Sequence, residues 1–108
     1  MTTTLVKVFS ALADDTRWKI LSRLGEGPAS ATALAREFPI SRQAIIKHLD
    51  VLHDAGLAEA APHGREIVYH ALGGQLSEIA RKMERIGTAW EKRLAEVKRD
   101  AEQGQRDT

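Results

Sequence analysis

The period of the apolar positions changes along this chain, and the changes divide it into elements. From Thr4 to Leu12, Leu5, Val8, Phe9 and Leu12 recur at spacings of three and four, which predicts a short amphipathic helix. Its other face is thinly polar, so burial on both sides is expected. Asp14-Asp15-Thr16 supplies capping side chains and negative charge for a second helix. Ile20, Leu21 and Leu24 form its stripe, Trp18 lies beside that stripe as an expected packing aromatic, and Gly25 with Gly27-Pro28 stops it. Ser30 caps a short third helix with Leu34, Ala35 and Phe38 as its apolar members, and Pro39 ends it.

The next stretch, Ser41 to Gly56, has a serine N-cap, a glycine suited to a left-handed C-cap, and no helix breaker between them. Ile45, Leu49 and Leu52 place one stripe on the core, which brings Arg42, Gln43, Ile46, Lys47 and Asp50 together on the opposite face. Two helices separated by so tight a turn, the second one longer and capped by serine, form the helix-turn-helix arrangement in which the second helix enters the DNA major groove. After Gly56 the period shortens. Leu57 to Ala61 and Glu66 to Leu72 are extended candidates around Pro62-His63-Gly64-Arg65, a hairpin with a glycine turn and a basic tip.

From Gln75 to about Gln103 the helical period returns, carried by Leu76, Ile79, Met83, Ile86, Trp90, Leu94 and Val97. At ~1.5 Å per residue this helix is roughly 40 Å long, so part of its stripe needs cover from another chain. The expected fold is mainly α with a small β-hairpin: a winged helix-turn-helix of about five helices and a two-stranded wing. Residues 1–103 make a single domain, and residues 104–108 a frayed polar tail.

Composition narrows the chemistry. The 108 residues contain no cysteine, which removes disulfides, thiolate metal sites and cysteine nucleophiles and suits a cytoplasmic protein. No apolar run approaches a membrane span, and no nucleophile with a base, convergent carboxylate pair or phosphate loop marks an enzyme. Sixteen Lys and Arg against fifteen Asp and Glu leave a formal charge of +1, far from a strongly basic balance. Between Ser41 and His70 the acidic residues Asp50, Asp54, Glu59 and Glu66 even outnumber Arg42, Lys47 and Arg65. Charge position is more favourable than charge count, since Arg42 and Lys47 occupy the first half of their helix and Asp54 its last turn.

Three segments together resemble the ArsR-type winged-helix transcriptional repressors: A-L-A-D-D-T-R-W-K-I-L-S-R-L from Ala11 to Leu24, S-R-Q-A-I-I-K-H-L-D-V-L-H-D-A-G-L from Ser41 to Leu57, and G-R-E-I-V-Y-H-A-L from Gly64 to Leu72. The late W-E-K-R-L from Trp90 to Leu94 further resembles a subgroup of small members without the founding metal sites. The resemblance implies a two-fold dimer built by the first and last helices, with double-stranded DNA as partner. It also implies a polar DNA contact that is missing here, because Ile46 stands where many members carry serine. Asp15 replaces a common proline, but a first-turn aspartate serves a helix start about as well.

The expected reader is the helix Ser41–Ala55 in the major groove, with the wing Pro62–Glu66 near the minor groove. Arg42 suits bidentate bonding to guanine and Gln43 to adenine, while Ile46 suits a thymine methyl; packing beneath the wing or simple exposure stays open for Ile46. Lys47 and Arg65 suit phosphate or minor-groove contacts, and Ser41 caps and reaches towards a phosphate. His48 and His63 complete the DNA-facing candidates, with structural hydrogen bonding the alternative for His48. Leu5, Phe9, Leu76, Ile79, Met83, Ile86 and Trp90 are the dimer candidates. His48 and His53, five apart on a helix, do not share a face, and neither a metal site nor a cofactor is expected. A small-molecule effector of unknown identity, acting near the dimer interface, is open beside constitutive autorepression. The competing reading is a winged helix used for protein–protein interaction with little DNA affinity.

Overall fold

The computed structural model describes residues 2–107, and the side chains of residues 5–105. Among the described residues five helices and three strands follow one another: α1 (Thr2–Leu12), α2 (Asp15–Glu26), β1 (Ala29–Ser30), α3 (Ala31–Glu37), α4 (Arg42–Asp54), β2 (Ala58–His63), β3 (Glu66–Ala71) and α5 (Gly74–Asp107). By its internal contacts the chain divides into two units, residues 1–76 and 77–108. The first is the winged helix, and the second is the greater part of α5.

The helix starts follow their caps. Asp14 Oδ1 accepts from the Arg17 backbone N–H at 3.0 Å, Ser30 Oγ from Ala33 at 3.1 Å and Ser41 Oγ from Ala44 at 3.1 Å. The Arg17 backbone N–H, the largest influence, holds the Asp14 carboxyl below its ordinary value, aided by the Arg17 and His48 charges against a smaller opposing effect of desolvation. Arg17 also closes the previous helix: its Nε donates to the Ala11 carbonyl at 2.7 Å and its Nη2 to that of Ser10 at 3.3 Å, an oxygen that the Ala13 N–H also reaches at 3.3 Å. One side chain thus joins the end of α1 to the start of α2. Helix α3 ends because Pro39 disfavours helical geometry at Phe38, which is extended at φ −116° and ψ 144°.

Helix α4 carries the centre of the core. Ile45, Leu49 and Leu52 are wholly buried, as are Val8, Ile20, Leu34 and Leu57. Burial of each such side chain contributes about 1.5–3 kcal/mol, so the α4 stripe outweighs the helix propensities of its own residues. At the other end, Gly56 has φ 76°. Its N–H donates to the His53 carbonyl at 2.9 Å, and the Leu57 N–H to the Leu52 carbonyl at 2.9 Å. These two bonds are the paired closure of a Schellman motif, with apolar Leu52 and Leu57 at its two ends.

The sheet is antiparallel with strand order β1-β3-β2. β1 was not expected from the sequence: two residues show no alternation, and Ser30 reads only as a helix cap. It is both, pairing with Val68 while capping α3. The hairpin is also tighter than the expected four-residue connection. Pro62 and His63 lie in β2, opposite Ile67 and Glu66, and only Gly64-Arg65 makes the turn. Gly64 has φ 64° and Arg65 has no positive φ, the pattern of a two-residue II′ hairpin. Pro62 is tolerated because β2 is an edge strand.

Two further expectations are corrected. Trp18 does not pack beside the α2 stripe and is 52% exposed. Position beside a stripe leaves a side chain at the helix boundary, where burial depends on a neighbour that α2 alone does not provide. The last helix continues past its expected end near Gln103 to Asp107. A single glycine costs a helix about 1 kcal/mol, too little to end a run flanked by Glu102, Gln103 and Gln105.

Gly56→Ala tests the closure of α4. An added Cβ would need a left-handed backbone and would lie 3.2 Å from Gln75 Nε2, a contact that the flexible side chain can relieve. A loss of about 1–2 kcal/mol is expected from the backbone alone, read as a lower urea midpoint with an unchanged slope.

Candidate nucleic-acid interface

The face of α4 opposite its buried stripe is open. Arg42, Gln43, Lys47 and Asp50 are exposed, and Ser41 is exposed at the cap. Ile46 is half-buried and does not simply project outwards. It lines a groove of about 480 Å³ between α4, the start of α3 and the hairpin. Arg42 joins it from α4, Thr32 from α3, and Arg65, Glu66 and Ile67 from the hairpin. The groove therefore has apolar walls at Ile46 and Ile67 with two guanidiniums and one carboxylate among its linings.

Local structure explains the convergence. The β1–β3 pairing fixes the start of α3 against the hairpin, because Ser30 belongs to both the strand and the cap. In β3, alternation puts Ile67 on the same face as Tyr69 and Ala71. Ile67 continues that row towards the hairpin tip and is 55% exposed. Arg42, the first residue of α4, donates from Nε to Thr32 Oγ1 at 3.1 Å.

Other expected site residues lie elsewhere. His48 is half-buried and adds to the electrostatic stabilisation of the Asp14 carboxylate at the start of α2, which places it by the helix junction. His63 lines a separate cavity of about 440 Å³ with His70 and Val68. His63 is not among the residues that line the groove beside Ile46. Among the described residues no group of three or more His, Asp or Glu is placed to hold a metal ion. Thr32 and Ile67 were missed in the sequence. The alternation of Ile67, Tyr69 and Ala71 signalled the second, whereas nothing in the spacing signalled the first.

The dimer candidates separate by exposure. Ile79 is buried in the single chain at 6% exposure, and Leu5 and Leu76 are half-buried. Phe9, Met83, Ile86 and Trp90 remain open, Trp90 at 70%. Val6 on α1 and Leu94 and Val97 on α5 are exposed large apolar residues as well.

A helix-turn-helix whose second helix bares a polar face, followed by a hairpin that shares a groove with that helix, defines a winged-helix DNA-binding domain. Comparison with known proteins agrees. A family described as a helix-turn-helix domain matches residues 12–59. An ArsR-like transcriptional regulator from Rhodococcus sp. RHA1 superposes with a TM-score of 0.85 at 51% identity, over 91% of this chain and 92% of that one. An HTH-type transcriptional regulator of Mycobacterium tuberculosis is 38% identical over 82 residues, 76% of this chain and 77% of its own length. The transcriptional repressor SdpR of Bacillus subtilis is 39% identical over 62 residues, 57% of this chain and 69% of its own.

The chain belongs to the ArsR-type winged helix-turn-helix transcriptional regulators, a DNA-binding class without enzymatic activity. Among the described residues no helix is long and apolar enough to cross a membrane.

Proposed function

We propose that the protein is a homodimeric repressor that occupies a roughly palindromic operator, with α4 in the major groove and the hairpin tip near the minor groove. The observation that carries this reading is the convergence of Arg42, Ile46 and Arg65 on one groove beside the exposed face of Gln43 and Lys47. Cations at such an edge meet phosphates, and Gln43 and Arg42 have the donor geometry for base edges. Repression follows from occupancy, since a protein seated on its operator excludes polymerase.

Dimerisation is supported by Met83, Ile86, Trp90, Leu94 and Val97 of α5, five large apolar side chains with 48% exposure or more. They recur at spacings of three and four, a single stripe that water covers in the lone chain. Phe9 and Val6 of α1 offer a second apolar surface. Two reading helices one DNA turn apart, ~34 Å, would match a two-fold symmetric operator and double every phosphate contact. That doubling offsets the low net charge of each chain.

Selection of bound sequences from a random duplex pool, followed by a salt titration, tests the reading. A palindromic consensus and affinity that falls steeply with salt are expected; recovery of no consensus would overturn it. Arg65→Ala should weaken binding to all sequences and reduce the slope of log affinity against log salt by roughly one per protomer, while a loss confined to one base pair would contradict its phosphate role. Ile46→Ser should change the preference at one base pair in each half-site, and an unchanged consensus would remove Ile46 from the reader. Trp90→Ala should raise the dimer dissociation constant by about 30-fold in sedimentation equilibrium, the scale of an interface tryptophan worth ~2 kcal/mol.

A further inference from the structure

We propose that Thr32, on the first helix of the helix-turn-helix, is a specificity-determining residue that orients Arg42 for reading guanine. This rests on the DNA-reading role assigned above. Arg42 Nε is committed to Thr32 Oγ1 at 3.1 Å, and its terminal nitrogens make no hydrogen bond among the described residues. A guanidinium can offer two parallel donors along its Nε edge or from its two terminal nitrogens. With Nε occupied, the terminal pair is the set left to address O6 and N7 of a guanine.

The hydroxyl also restricts rotation of a long, exposed side chain. An unrestrained arginine loses rotamer freedom when it is fixed in one pose, and a tether formed before binding reduces that loss. The restraint comes from outside the recognition helix: Thr32 is ten residues from Arg42, across the turn. Base preference would thus depend on a residue that touches no base. Thr32 is exposed and lies in the first turn of α3, so removal of its hydroxyl disturbs no buried group.

The groove offers a competing assignment for the same side chain. Arg42 and Arg65 both line it, and together they would clamp a phosphate without reading sequence. The Thr32 bond closes the fork of Nε and one terminal nitrogen to either ligand; a base reader is distinguished by preference at one base pair, whereas a clamp acts on all sequences alike.

The experiment takes the consensus selected by the wild-type protein and measures affinity for every single-base variant of one half-site with four proteins: wild type, Thr32→Val, Thr32→Ser and Arg42→Ala. The expected result is that Arg42→Ala flattens the preference at one guanine, that Thr32→Val lowers preference at that same base pair by about tenfold, and that Thr32→Ser retains it. A purely structural role for Thr32 would lower affinity at all positions alike, and that outcome would overturn the proposal. So would a Thr32→Val protein with wild-type discrimination at the position Arg42→Ala flattens. If Arg42→Ala weakens all sequences equally, Arg42 is a phosphate contact and the proposal fails while the DNA-binding reading stands. If the wild type selects no sequence, that reading fails first.

Discussion

The turn at Gly56 is the constraint on which the arrangement of this winged helix depends. Helix α4 ends there by returning its last N–H groups inwards, and the chain leaves in the direction that a left-handed glycine sets. Leu57, the first residue beyond it, is wholly buried, and its carbonyl accepts the Leu72 N–H at 2.9 Å. The exit from α4 and the far end of the hairpin are therefore tied at one point. A change of angle at Gly56 would move the hairpin as a unit against α4 and alter the groove between them.

A second restraint acts at the opposite side of that groove. Two strand residues, Ala29 and Ser30, hold the start of α3 to β3. So short a strand contributes little stability alone, but Ser30 uses its backbone in the sheet and its side chain in the cap. Thr32, two residues further on, inherits a fixed position relative to the hairpin. Core packing of Ile45, Leu49 and Leu52 then sets the rotation of α4 about its axis, which decides that Arg42 meets Thr32 and Ile46 meets the groove.

The elements governed by local chemistry were legible in the sequence. Ser41 and Gly56 bounded α4 because cap and closure depend on side-chain type and on a positive φ, and the apolar period identified its buried face. Reading failed where an outcome depends on what lies across a gap. Pro62-His63-Gly64-Arg65 looked like one turn because proline is an unusual strand residue, yet an edge strand accepts it. Helical phase placed Ile46 on the outer face but could not decide between contact with the hairpin and simple exposure. The Thr32–Arg42 bond joins two helices by their side chains, a relation no spacing encodes, and the exposure of Trp18 has the same origin.

Pro62 has a consequence for how copies of the protein can meet. β2 borders the sheet, and its outward edge would otherwise present a run of free donors and acceptors to any extended chain. In a two-residue hairpin the residues flanking the turn, His63 and Glu66, form the hydrogen-bonded pair, so the nitrogen of Pro62 faces outwards. A proline nitrogen carries no hydrogen, and the edge lacks a donor where a foreign strand would align. Glu59, exposed on the same strand, adds a charge to that border. Strand addition, which can propagate without limit, is thereby disfavoured at this border.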